Sequence, residues 1–173
     1  SSRVNYSNTL KYVMHFNGSV RGLTEGAPVQ LRGIPIGKVT RISLELDEKT
    51  ADIHVPVEVE LEPERIRVVN NLPNVSDKDI IAQLINKGLR AQLQTGSLLT
   101  GQLLIDLDFH APNKTFFVAD SQHHYPEFPT VASSLDQFAH SAQTIMDKIA
   151  KLPLDEMTQE LTQTLQHVQK TST

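Results

Sequence analysis

Apolar and polar residues alternate in short runs through most of the first 120 residues, and glycine or proline separates the runs. A period of two predicts half-buried β-strands, because successive side chains of a strand point to opposite faces of a sheet. The clearest alternation begins at Ile53. Pro56 in that run predicts an edge strand or a bulge, because proline has no N–H to donate to a neighbouring strand. Strands are predicted over 10–20, 29–32, 38–46, 50–61, 89–93, 103–109 and 116–118, with a turn over 33–37.

One short helix is predicted between the strands, after residue 75. Ser76 suits its N-cap, Asp77 and Asp79 suit the positive end of the helix dipole, and Gly88 suits the position after its last turn. Its apolar face carries Ile80, Ile81, Leu84 and Ile85. Short strands with glycine and proline corners, together with one helix, predict a mainly β fold: a small closed or nearly closed barrel of about seven strands.

The period of the apolar residues changes near the end of the chain. The segment HHYPEFP (123–129) predicts a proline-bounded joint, and beyond it apolar residues recur at steps of four and three, which predicts a narrow coiled-coil seam. The seam consists of Val131, Leu135, Phe138, Ala142, Ile145, Ile149 and Leu152. Pro153 interrupts it, and a second amphipathic run follows. We therefore divide the chain into an upstream segment 1–9, a barrel 10–120, a joint 121–130 and a helical segment 131–173.

An unusual turn lies between the last two long strands, in the segment GLRAQLQTGSLLTGQLLIDLDF (88–109). Leu98 and Leu99 occupy its centre, where turns ordinarily carry Gly, Pro, Asn, Asp or Ser. Leaving a leucine in water forgoes roughly 1.5–3 kcal/mol of burial free energy. The two leucines therefore predict an apolar partner.

Composition and charge exclude several classes of protein. The chain has 16 basic and 20 acidic residues, and its lysines and arginines are scattered, so nucleic acid is not an expected partner. The lack of cysteine excludes disulfides and the usual structural zinc sites. No apolar run reaches the length of about 18 residues that a membrane span requires.

Catalytic and metal sites have weak signals. Asp106 and Asp108 share one strand face, yet no histidine or nucleophile accompanies them in any motif, so outward-facing strand acids are the simpler interpretation. His123 and His124 have no well-spaced third ligand, which favours a solvated joint over a metal site. The dispersed histidines, such as His15, are expected on the surface. We predict no enzyme activity, no metal and no cofactor.

Two segments of the chain closely resemble the MCE (mammalian cell entry) domain: VRGLTEGAPVQLRGIPIGKV (20–39) and GLRAQLQTGSLLTGQLLIDLDF (88–109). The joint YPEFPTV and the helical sequence DKIAKLPLD are similar to the C-terminal part of some members. The resemblance implies a seven-stranded MCE β-barrel followed by an amphipathic or coiled-coil helix. It also implies homohexameric rings that carry lipids between the inner and outer membranes of Gram-negative bacteria.

The resemblance assigns a role to the unusual turn. In MCE rings the loop between the sixth and seventh strands lines a central hydrophobic pore, and Leu98 and Leu99 match that loop. Gly96 and Gly101 are expected to let its tip turn tightly. The helical segment would form part of a six-helix tube with an apolar lumen. Each seam residue then either packs between neighbouring helices or faces lipid.

The predicted function is therefore non-enzymatic lipid transport across the periplasm. The expected partners are a phospholipid or other membrane lipid, further copies of the chain, and proteins of the inner and outer membranes. The full-length protein is expected to be anchored in the inner membrane by an N-terminal helix outside this chain. Two alternatives stay open: a structural module whose Leu98–Leu99 loop docks a protein, and a monomeric ligand-binding barrel.

Overall fold

The computed structural model describes residues 8–70, 72–118 and 122–171, and most of its strands form one curled sheet. The strands are β1 (Leu10–His15), β2 (Pro28–Leu31), β3 (Ile34–Ile42), β4 (Glu45–Asp47), β5 (Asp52–His54), β6 (Pro56–Leu61), β7 (Leu89–Thr95), β8 (Leu103–Phe109) and β9 (Glu127–Phe128). The helices are α1 (Asp77–Asn86), α2 (Ser134–Ala150) and α3 (Leu154–Thr171). The main sheet has seven strands in the order β7-β8-β2-β3-β6-β1-β9, and β4 and β5 form a separate two-stranded ribbon. The predicted fold class, a mainly β domain with one short helix followed by a helical segment, is confirmed, whereas the coiled coil stays a prediction. Residues 1–7 of the predicted upstream segment lie outside the described residues.

The chain after residue 125 connects the two ends of the curled sheet. The N–H of Val13 in β1 donates to the carbonyl of Pro126, and the N–H of Ala91 in β7 donates to the carbonyl of Pro129. A second hydrogen bond joins Ala91 to this segment, because the N–H of Val131 donates to the carbonyl of Ala91. Residues 126–131, most of which lie in the predicted joint, thus complete the sheet.

Phe128 is the central side chain of this closing segment. It is fully buried, and its ring packs edge-on against Tyr12 with 5.5 Å between the ring centroids. Burial raises the pKa of Tyr12 to about 12. The surrounding core is filled by the alternating inward residues of the strands, among them Met14, Val29, Val39, Val57, Val59, Leu61, Leu89, Ile105 and Leu107.

Two predictions about turns and edges are wrong. The turn predicted over 33–37 is confined to Arg32 and Gly33, both with positive φ, which is the conformation of a tight hairpin between β2 and β3. Strand β6 lies inside the sheet, between β3 and β1, so Pro56 is not on an edge. It is not at a bulge either, because the irregularity of the β3–β6 pair lies between Val39 and Arg41. It is tolerated because it is the first residue of the strand.

The long alternating run around Ile53 also divides differently from the prediction. Ile53 belongs to the β4–β5 ribbon and is exposed, whereas the residues from Pro56 onward join the main sheet. Residues 116–118 do not form a strand. Phe116 instead makes an isolated bridge with Thr130, and the N–H of Val118 donates to the Glu127 carboxylate rather than to a backbone carbonyl.

Helix α1 begins and ends as its sequence predicts. The Ser76 hydroxyl accepts a hydrogen bond from the N–H of Asp79, and the Asp79 carboxylate accepts from the N–H of Ser76, which completes a capping box. Gly88 follows the helix with a φ of +110°. Ile81 is the one α1 residue that is buried.

The chain divides into two units, Ser1–Asp136 and Gln137–Thr173, which we call the sheet unit and the helical unit. Helix α2 begins at Ser134, later than the predicted helical segment, and Val131 lies before it in the core. Both helices expose their apolar residues. Among the described residues, no helix combines the length and apolar character needed to cross a membrane.

Candidate functional site

The hairpin of β7 and β8 carries the two leucines that the sequence singled out. Seven residues of each strand pair in register, from Leu89 opposite Phe109 to Thr95 opposite Leu103. The turn lies beyond this last pair, at residues 96–102, and we call it the tip. Leu98 is 94% exposed and Leu99 is 95% exposed. The structure therefore places both leucines in solvent at the far end of an anchored hairpin.

The backbone of the tip is closed by hydrogen bonds that centre on Ser97. The Ser97 carbonyl accepts from the N–H of Gly101 at 2.9 Å, and the Ser97 hydroxyl accepts from the N–H of Thr100 at 3.3 Å. The Gln102 carbonyl accepts from the N–H of Gly96 at 2.8 Å. Leu98 and Leu99 themselves occupy the outer side of this turn. An ordered backbone thus holds apolar side chains in water.

The two glycines of the tip differ in backbone conformation. Gly101 has a φ of +73°, a left-handed conformation in which a side chain would be strained. The φ of Gly96 lies outside that region, and a Cβ there would meet a Leu104 methyl carbon at an ordinary 3.4 Å. The left-handed backbone of the turn thus lies at Gly101 and not at Gly96, and the role of both glycines in the tight turn stays a prediction.

Gly22 is a tip-supporting residue that the sequence reasoning missed. Its carbonyl accepts a hydrogen bond from the N–H of Leu103 at 2.9 Å. A Cβ on Gly22 would lie 2.3 Å from the carbonyl oxygen of Gly101, which is far too close. Gly22 lies in the first of the two segments that carried the family resemblance, but nothing in its local pattern pointed to the tip.

The predicted seam residues are separated by the structure. Val131 is buried in the sheet unit, and Leu135 lies in the first turn of α2. Phe138, Ala142, Ile145 and Ile149 follow along α2, and Leu152 lies just beyond it. All except Val131 and the half-buried Ala142 are exposed. The second amphipathic run, Leu154, Met157, Leu161, Leu165 and Val168, lies on α3 and is also exposed.

Two histidines of the sheet unit, His15 and His123, are less exposed than the sequence predicted. The Nε2 of His123 lies 3.0 Å from a Glu58 carboxylate oxygen, and its Nδ1 accepts from the N–H of Tyr125. Both ring nitrogens thus have protein partners, and the side chain is not a solvated one. His15 is buried rather than on the surface. Burial, followed by the charges of His54 and His123, lowers its pKa against an opposing effect of Glu45.

The acidic pair on β8 has ordinary strand surroundings. Burial, followed by the charge of Asp108, raises the pKa of Asp106. The Gln94 side-chain amide, on the paired strand, lies 3.5 Å from an Asp106 carboxylate oxygen. No set of three His, Asp or Glu side chains suited to a metal ion occurs in the part of the chain that the structure describes.

Comparison with known proteins identifies one family. The family model described as "MlaD protein" matches residues 8–110. Among solved structures, one chain of "Acinetobacter MlaFEDB complex in ATP-bound Vtrans1 conformation" is similar at a TM-score of 0.41 and 16% sequence identity. That match covers 73% of this chain and 74% of the other. The family match thus extends from before β1 to just past β8 and includes the whole tip.

Proposed function

This chain belongs to the MlaD protein family, and from that premise we propose that it is an MCE domain that conducts lipids in the bacterial periplasm. The family match covers more than half of the chain. It includes the hairpin whose tip exposes Leu98 and Leu99 on a hydrogen-bonded turn. That tip is the observation on which the proposal rests.

The tip serves this function if several copies of the chain meet around one axis. In a homohexameric ring, six pairs of leucines would surround a narrow apolar pore. Each methylene of an acyl chain gains roughly 0.8 kcal/mol when it leaves water, so a leucine-lined pore lets a lipid tail pass without that cost. The closed backbone of the tip supports this role because it holds the side chains in place without covering them.

The helical unit would extend the same apolar path. Its exposed seam would pack against helices of neighbouring copies, as a coiled coil, or face the lipid. Thr158 and Thr162 each donate their hydroxyl to the carbonyl four residues earlier, as does Thr164, so these hydroxyls are bonded within α3. A helix of this kind can border an apolar lumen without leaving those donors unsatisfied.

We propose the following arrangement for the longer protein. Residues 10–120 are the transport barrel, 121–130 the joint, whose last residues also close the sheet, and 131–173 the tube segment, whose helices begin at Ser134. The joint and helix resemble those after the last MCE domain of paraquat-inducible protein B. An N-terminal helix would anchor the protein in the inner membrane, and partner proteins would be present at both membranes. The transport is non-enzymatic, so its energy would come from another component.

A structural role is the second candidate. The β4–β5 ribbon also exposes Leu46 and Ile53, and Leu44 precedes it, so exposed apolar side chains in the sheet unit are not confined to the tip. In that case Leu98 and Leu99 would dock a protein partner and hold an envelope complex together.

A photo-crosslinking amino acid at Leu99 of the full-length protein in cells would test these candidates. Lipid adducts at Leu99, without lipid adducts at the exposed Leu46, would support the pore. Protein adducts alone at Leu99 would overturn the pore and favour the structural role. A Leu98→Asn and Leu99→Asn double variant should also lose bound phospholipid while its mass in solution stays unchanged.

A further inference from the structure

A groove beside the base of the tip lies between the β7–β8 hairpin and the first turn of α2. Its volume is about 390 Å³, which is within the range of roughly 300–1,000 Å³ that ligand pockets occupy. One wall is the β7–β8 hairpin, and the other is formed by Ser19, Arg21 and residues 133–136. All of these residues belong to the sheet unit.

The floor and one side of the groove are apolar. Leu93 is buried beneath it, Leu103 is half-buried, and Leu135 lines it from the first turn of α2. Leu98 also lines the groove, whereas Leu99 does not. The two tip leucines are therefore not equivalent, and Leu135, which the sequence assigned to the helical seam, lies at this groove.

The rim of the groove carries one charge of each sign. Arg21 and Asp136 both line it and both are exposed. Among the salt bridges between described residues, none joins these two side chains. The Ser133 hydroxyl accepts from the backbone N–H of Asp136, so the first turn of α2 is held while the Asp136 carboxylate stays at the rim. The rim can therefore meet a ligand that is itself zwitterionic.

We propose that this groove binds one phospholipid with a zwitterionic headgroup. An acyl chain lies along the leucines, the phosphate lies toward Arg21, and the ammonium lies toward Asp136. This inference rests on the proposed function, because that function is what brings lipid to the tip. It adds a lateral site at which a lipid is held beside the pore, with Leu98 shared between the two.

The test uses the fact that the sequence contains no tryptophan, so one substitution supplies a single fluorescent reporter. A Leu135→Trp variant of this chain is mixed with vesicles of phosphatidylethanolamine and phosphatidylglycerol that carry bromine on their acyl chains. We expect quenching of its emission. A Leu44→Trp variant, at an exposed apolar position near the ribbon, is the control and should keep its emission.

A Leu99→Trp variant separates this proposal from the proposed function. Quenching at Leu99→Trp without quenching at Leu135→Trp overturns the groove and leaves the pore intact. Absence of quenching at both positions overturns both proposals.

Two exposed rim variants test the headgroup without disturbing the core. Arg21→Gln should weaken binding of either lipid about tenfold, because it removes the contact with the phosphate. Asp136→Asn should weaken phosphatidylethanolamine selectively and leave phosphatidylglycerol unchanged. Equal binding of both lipids by the parent chain and both variants would contradict the zwitterionic assignment.

Discussion

The sheet unit and the helical unit use their apolar residues in opposite ways. In the sheet unit the alternating residues meet inside one core, where Phe128, Met14 and many strand residues are inaccessible to solvent. No residue of the helical unit that the structure describes is buried, although its apolar residues recur just as regularly. A sheet that curls on itself supplies its own partner, whereas a single amphipathic helix needs another chain or a ligand.

The tip is an exception within the sheet unit. Its strands contribute to the core, but Leu98 and Leu99, at 94% and 95%, are more exposed than Phe138 of the helical unit at 74%. The difference from the helices is that the paired strands β7 and β8 hold both ends of the tip, and hydrogen bonds through Ser97 and Gln102 close its backbone. The tip is thus an exposed apolar surface that does not depend on a partner for its conformation.

The largest expected effect on the free energy of unfolding comes from truncating a phenylalanine of the sheet unit, and the same substitution in the helical unit is the comparison. Phe128→Ala should lower the free energy of unfolding of the sheet unit by roughly 3–5 kcal/mol, because it leaves a cavity against Tyr12. Phe138→Ala, at a position 74% exposed on α2, should change it by about 0.5 kcal/mol or less. Urea denaturation followed by circular dichroism measures both. Equal losses would mean that the two units share a core.

A second, smaller effect tests how the tip is held. Gly26→Ala should cost roughly 1–2 kcal/mol, because residue 26 has a φ of +89° but open space around a Cβ. Gly22→Ala should cost more, because a φ of +92° is combined with the close approach to the Gly101 carbonyl. Denaturation of both variants in urea gives the comparison. If the two losses are the same, the contact between these loops does not support the tip.

A third effect is the pH dependence of the sheet unit, to which the buried His15 contributes. Burial lowers the pKa of His15 below its ordinary value of 6.5, with help from His54 and His123 and against Glu45. As the pH falls through 6.5, the unfolded chain therefore binds a proton that the folded chain does not. The free energy of unfolding should then fall by up to about 1.4 kcal/mol per pH unit.

Urea denaturation between about pH 7.5 and pH 5.5 covers the start of this window. A His15→Asn variant should lose less stability over the same range than the parent chain, whatever its stability at neutral pH. Burial also raises the pKa of Glu127. Nearer the ordinary carboxyl pKa, the folded chain therefore takes up a proton before the unfolded chain does, and this raises the free energy of unfolding as the pH falls. Parallel curves for parent and variant would exclude His15 as the source.

The local elements of the sheet unit were largely readable from the sequence. Period-two alternation and the capping residues of α1 depend on neighbours in the chain, so the strands β7 and β8 and the N-cap Ser76 were predictable. Pro56 was misread because an edge position and a strand's first residue tolerate proline for the same reason. The local sequence does not distinguish a proline on an edge strand from a proline that begins an internal strand.

Contacts between distant segments were not readable. Val131 fits a heptad repeat as well as any true helical residue, and its burial depends on a backbone contact with Ala91, forty positions earlier. The burial of His15 and the close approach of Gly22 to the tip arise in the same way. The exposed leucines of the tip were found because their residue type conflicted with their position, which is a local signal.

The smallest expected effect on stability concerns the helical unit. A Leu161→Asn and Leu165→Asn double variant should change the free energy of unfolding of the sheet unit by about 0.5 kcal/mol or less, because neither side chain is buried. In the proposed assembly of several copies, it should nevertheless weaken self-association, because it makes one face of α3 polar. A Gln159→Asn and Gln163→Asn double variant places the same two asparagines, with the same spacing, on the opposite face of α3. Its mass by sedimentation equilibrium should match that of the parent chain. If both double variants dissociate equally, helix propensity rather than the apolar face controls association, and the contrast between the two units fails at the helices.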